Sequence, residues 1–117
     1  MKNIQIKRIY EKAETSDGFR VLVDRIWPRG ISKEEANLDE WLKDIAPSAE
    51  LRQWFDHKEE RFDEFKEKYI SQLKDKTQEI NYLNMRAKTR NLTLVYAAKD
   101  EKHNQAIILQ EILEQKP

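Results

Sequence analysis

Two five-residue runs, Phe19–Val23 and Leu92–Tyr96, constrain this chain more than any other feature. Both are rich in β-branched and aromatic residues and are apolar at nearly every position, the pattern of strands covered on both faces. Helical periodicity separates them, with no tight turn. Strands joined that way run parallel, because a parallel pair needs a long crossover. The expectation is a single α/β domain over residues 1–117, a small and mainly parallel sheet flanked by helices, with enough chain for one core.

The rest of the chain fits between these runs. Ile4, Ile6 and Ile9 alternate with polar residues, so a first strand has one face in the core. Residues 10–18 form a polar loop closing on Asp17-Gly18. Pro28 ends regular structure and Gly30 frees the backbone, which makes residues 25–31 an irregular loop carrying Trp27. Ser32 caps a short helical turn, and the Leu38–Ile45 segment that follows fits either helix or strand, with a short strand or extended segment around Trp41 the preferred reading. Ser48, after Pro47, caps a helix through Leu51, Trp54 and Phe55. Phe62, Phe65, Tyr69, Ile70 and Leu73 follow helical spacing, and a further helix covers Thr77–Lys88 with Ile80, Leu83 and Ala87 inward. The closing helix runs from Asn104 to Glu114 with Ala106, Ile107, Leu109 and Ile112 on or near its apolar face.

Composition removes several classes of function. Lys plus Arg and Asp plus Glu both total 22, so the blanket positive charge that holds nucleic acid through phosphates is missing and only a local basic patch would serve. The absence of cysteine excludes disulfides, cysteine-ligated metals and thiolate nucleophiles. Two histidines without ligand spacing give no metal motif. With only two glycines there is no dinucleotide or phosphate-loop fingerprint, so no cofactor is expected. No signal-peptide core or membrane-length apolar run is present, which points to the cytoplasm and away from membranes.

In open α/β sheets ligands bind beyond the carboxyl ends of the strands. Two loops qualify. Asp24, Arg25, Trp27 and Arg29 follow the first buried strand; Lys99, Asp100, His103 and Asn104 follow the last. Arg52 lies one turn into the Ser48-capped helix and is placed to face the same mouth. Arg25, Arg29, Arg52, Lys99 and Asn104 are therefore candidate contacts for a small anionic ligand bearing phosphate or carboxylate, with Asp24 and His103 as candidate acid–base groups. The plainer alternative is that Arg25 and Arg29 pair internally with Asp24, Asp39 or Glu40, and that Trp27 only lids the core. A nucleic-acid-binding or regulatory protein-interaction module is the competing function, with the same arginines on phosphates and Trp27 against a base or sugar.

The string Ser16-Asp17-Gly18-Phe19-Arg20-Val21-Leu22-Val23-Asp24-Arg25-Ile26-Trp27-Pro28-Arg29-Gly30 resembles the YeaO-like family of bacterial proteins. The resemblance continues through Trp41, Ala46-Pro47-Ser48, Leu51-Arg52 and Trp54-Phe55-Asp56-His57 to Leu94-Val95-Tyr96-Ala97-Ala98-Lys99 and His103-Asn104-Gln105-Ala106. It implies a small α/β fold in a bacterial cytosolic protein, and, as a domain of unknown function, no established reaction. Carried over residue by residue, it suggests a pocket of Asp24, Arg25, Trp27, Arg29, Ser48, Arg52, Lys99, His103 and Asn104. Related domains that look similar carry a Cys-His-Arg triplet near the start of the last helix. Here that place reads Lys102-His103-Asn104, so thiol chemistry does not carry over.

Overall fold

The computed structural model describes residues 3–115. Four strands, β1 (Ile4–Arg8), β2 (Phe19–Leu22), β3 (Glu40–Trp41) and β4 (Leu92–Tyr96), form one sheet in the order β1-β4-β2-β3, and every pairing is parallel. The two apolar runs are thus the two central strands, with Val21 opposite Leu94 and Leu22 opposite Val95. Five helices complete the domain: α1 (Lys33–Ala36), α2 (Ala49–Phe55), α3 (Phe62–Leu73), α4 (Thr77–Thr89) and α5 (Gln105–Gln115).

Alternation along β2 and β4 divides the core in two. Val21, Val23, Leu92, Leu94 and Tyr96 share one cluster with the apolar stripes of α2 to α5. Leu22 and Val95 face the other way, into a thinner layer with Ile9 and Ala36, roofed by Trp27, Ile31, Leu38 and Trp41. The larger helices thus cover one face, and a short helix and loops cover the other. At the opposite end of the thin layer the residues are polar. Arg20 is buried there, its guanidinium 2.6 Å from Asp17 and donating to the carbonyls of Ala36 and Asn37. Lys7 reaches Asp17 and Glu14, and the Thr93 hydroxyl donates to the Asp17 carbonyl.

Local chemistry sets the element ends. Gly18 has φ +67°, and a Cβ there would lie 2.2 Å from the carbonyl oxygen of Asn91, the same oxygen that receives the Phe19 N–H. Only glycine lets β2 enter the sheet this close to β4. Ser32 caps α1 in a capping box with Glu35. Ser48 caps α2, its hydroxyl accepting from the Leu51 N–H at 3.1 Å and from the Gln72 side chain at 2.9 Å. Ser48→Ala is expected to lower the unfolding free energy by about 1–2 kcal/mol, read from urea titration, while Ser48→Thr keeps most of it. Equal midpoints for wild type and the alanine variant would refute the cap's contribution.

On α5 the buried residues are Ala106, Ile108, Leu109 and Leu113, whereas Ile107 and Ile112 are half-buried. The helix packs on β1 and β4 and also on α3 and α4. That contact arc is wider than one stripe, so the expected face is displaced toward Ile108 and Leu113.

Candidate functional site

The backbone leaves the sheet at Val23, whose N–H still bonds to the Val95 carbonyl at 3.0 Å. From there the loop to Ile31 is stapled by indoles. Trp41 Nε1 donates to the Asp24 carbonyl at 2.7 Å, Trp27 Nε1 donates to the Ile31 carbonyl at 2.7 Å, and the two rings meet edge to face at 5.2 Å. Trp27 is therefore both roof of the thin core and wall of the space beyond it. Tyr10 adds a hydroxyl bond to the Arg29 carbonyl.

Beyond the carboxyl ends of β2 and β4 lies a cavity of about 740 Å³, lined by the 24–29 loop, the 97–105 segment, the Ala46-Pro47 corner, α2 and Phe65. Its size is in the ordinary range for small-molecule sites. Asp24, Arg25, Arg29, Arg52, Lys99, His103 and Asn104 all line it, so the fold brings together every residue proposed from sequence except Ser48. The hydroxyl of Ser48 is engaged by α2 and Gln72.

Asp24 is the most deeply placed charged group lining the cavity. One carboxylate oxygen accepts from the Ala97 N–H at 3.1 Å, and the other accepts from the Gln105 side-chain amide. Burial raises its pKa to about 6, although these two hydrogen bonds and the Arg52 charge act in the opposite direction. Tyr69 is fully buried nearby, its hydroxyl donating to the Ile45 carbonyl at 2.6 Å; burial and the Asp24 charge hold its pKa well above the ordinary phenol value. Arg25, Arg29, Arg52 and Lys99 are exposed at the rim. Arg25 Nε donates to the Pro47 carbonyl. The carboxylates considered as internal partners are used elsewhere: Asp39 bonds the Arg20 N–H and pairs with Arg90, and Glu40 accepts from Tyr82. Among the described residues, none of the four rim cations makes an ion pair with a carboxylate.

The 100–104 turn is organised by Asp100. Its side chain accepts from the backbone N–H groups of Lys102 and His103, and contacts His103 Nδ1 at 2.9 Å. The Lys102 N–H bond comes first among the interactions that keep Asp100 below the usual carboxylate range, with the His103 contacts adding to it. The His103 ring also packs edge-on against Phe62. Asn104 is buried and both ends of its amide are engaged, with the Asp100 carbonyl and with the Ile107 N–H that opens α5. His57 follows the left-handed Asp56 at the end of α2 and is itself left-handed, φ 54°, which places its ring at the cavity wall. Glu59, Asp100 and His103 each bring one potential ligand atom within 4.8 Å of the others, a grouping no sequence spacing revealed. The turn's own hydrogen bonds account for the Asp100–His103 part of it.

Sequence reasoning missed Gln105, the side chain that grips Asp24. Its signal was its place: the first residue of a helix following a central parallel strand points back over that strand's end. Phe55 and Phe65, read only as core, also form cavity wall.

The family model described as the inactive DUF488-N3 subclade matches residues 3–117. The chain belongs to this family. A DUF488 relative, the uncharacterised protein YeaO of Escherichia coli, is 49% identical over 107 residues, covering 92% of this chain and 93% of YeaO. Uncharacterised proteins of Mycobacterium tuberculosis and Mycobacterium bovis are 51% identical over 72 residues, 62% of this chain and 61% of theirs. The YeaO-like resemblance read from the sequence thus holds over most of the chain. No solved structure matches the chain. Among the described residues, no helix is long and apolar enough to cross a membrane.

Proposed function

We propose that the protein binds a small anionic ligand, bearing phosphate or carboxylate, in the cavity beyond β2 and β4, in the bacterial cytoplasm. The observation that carries this reading is the rim. Arg25, Arg29, Arg52 and Lys99 converge on one concave space, and none is neutralised by a carboxylate among the described residues. Converging guanidinium groups offer forked, charge-assisted hydrogen bonds suited to a planar carboxylate or a phosphate. The balanced net charge disfavours a nucleic-acid role, which needs a field extending along a duplex or strand. The description of the subclade as inactive, together with the lack of cysteine, favours binding without turnover. Asp24 and His103 then serve as ligand contacts rather than as acid–base catalysts.

Thermal unfolding in the presence of phenyl phosphate and benzoate tests this. Protection of the wild type should rise with ligand concentration, and Arg29→Ala and Arg52→Ala should each weaken apparent affinity about tenfold, the worth of one hydrogen bond to a charged group. Equal, negligible protection of wild type and both variants would overturn the proposal.

A further inference from the structure

The cavity is electrostatically two-ended, and that narrows the ligand. Its rim is cationic and exposed, whereas its one deeply placed charged group, Asp24, is a carboxylate held rigidly at the ends of β2 and β4. The Ala97 N–H and the Gln105 amide each engage one Asp24 oxygen and fix the plane of the carboxylate. The Trp41 indole fixes the backbone beneath it. Each carboxylate oxygen accepts a second hydrogen bond readily, so the group retains acceptor capacity toward the cavity that it lines. Between the two ends the wall is largely apolar and aromatic, with Trp27, Pro47, Phe55 and Phe65. A ligand that is anionic throughout would bring a like charge against Asp24 in a water-poor place, which costs binding energy.

We propose that the ligand is amphoteric: an anionic head at Arg29 and Arg52, an apolar or aromatic middle along Trp27 and Phe55, and a cationic amine that meets Asp24. This rests on the anion-binding reading above and adds the opposite end of the molecule to it. The amine satisfies the acceptor capacity of Asp24 and restores charge balance at the deep end. The rim cations bind the head where solvent still reaches.

The groups that face Asp24 come from several elements. Arg52 approaches from α2, Tyr69 from α3, and Gln105 from α5. His57 and His103 line the same cavity. Asp24 itself loses its charge below about pH 6. Acid should therefore remove the advantage of the amine while sparing the contacts of the anionic head.

Three matched probes separate these contributions by calorimetry near neutral pH: para-(aminomethyl)benzoate, para-methylbenzoate without the amine, and benzylamine without the anion. The wild type should bind the aminomethyl compound about tenfold or more tighter than either of the others. Asp24→Asn should reduce its advantage over para-methylbenzoate to less than about twofold. Repeating the wild-type titration at about pH 5 should shrink the same ratio, a readout that stands even where the asparagine variant fails to fold. Equal binding of the aminomethyl and methyl compounds, still dependent on Arg29, would overturn the amphoteric ligand and leave the anion site intact. Failure of all three probes to bind would overturn the amphoteric proposal, while phenyl phosphate protection would decide the anion reading separately.

Discussion

Asp17→Ala is expected to cost about 3–5 kcal/mol of unfolding free energy, because it strands a buried guanidinium. Arg20 lies in the thin core layer with its side chain 3% exposed, and Asp17, at 6%, is its carboxylate partner. Lys7 shares that carboxylate at 3.1 Å. Removing Asp17 leaves two cations close together, with only the exposed Glu14 to answer Lys7 and only the Ala36 and Asn37 carbonyls, no carboxylate, to answer Arg20. Arg20→Met should cost less, since Asp17 keeps Lys7 and the Glu14 N–H, and a thioether chain fills the space of the arginine stem. Urea unfolding followed by circular dichroism checks both; similar losses for the two variants would refute this apportionment. Desolvation pushes the pKa of Asp17 upward, but the Glu14 N–H, Lys7 and Arg20 together hold it below the ordinary carboxylate range. Its stabilising contribution is therefore complete above the unfolded pKa, and is lost as pH falls through the lower folded value.

Asp24 works in the opposite sense, and Asp24→Asn should expose this as a pH effect on stability. The folded pKa of about 6 stands above the ordinary aspartate value of 3.8, so the native state holds the proton more tightly than the unfolded chain. Between those two values stability falls as pH rises, by an amount on the order of 3 kcal/mol once Asp24 is fully ionised. The difference between the wild-type and Asp24→Asn stability profiles should therefore slope in this window and flatten above and below it. A flat difference profile across the window would show that burial does not penalise the charge. Burial outweighs the Ala97 and Gln105 hydrogen bonds and the Arg52 charge, so ionised Asp24 costs the fold stability rather than adding to it.

Much of the architecture was legible because apolar periodicity and helix caps act locally. Ser32 and Ser48 marked their helices, the Phe62–Leu73 stripe marked α3, and the two saturated runs marked the central strands. On α5 the sequence placed Ala106, Leu109 and Ile112 against the core but not Ile108 and Leu113, because the helix touches both the sheet and its neighbouring helices and its buried arc is wider than one stripe. Arg20 and Thr93, the polar members of the two apolar runs, sit opposite each other in the register. Their burial depends on Asp17, which reaches them only when the loop before β2 folds back over the sheet. The rim cations were found from topology alone, since loops after neighbouring parallel strands must share an edge. Their freedom from Asp39 and Glu40 was not, because those carboxylates are claimed by Arg20, Arg90 and Tyr82 from elements distant in the chain.

The sequence by itself determined the class of fold, the central strands, the family and the end of the sheet where the loops converge, since hydrophobic pattern and parallel connectivity leave few other arrangements. Only the tertiary structure decided that Gln105 and Ala97 clamp Asp24 and that burial raises its pKa to about 6. Only it showed that four cations stand unpaired around one cavity among the described residues. Desolvation and pairing depend on what lies within a few ångströms in space, and for these side chains those neighbours come from α2, α3 and α5, tens of residues away along the chain.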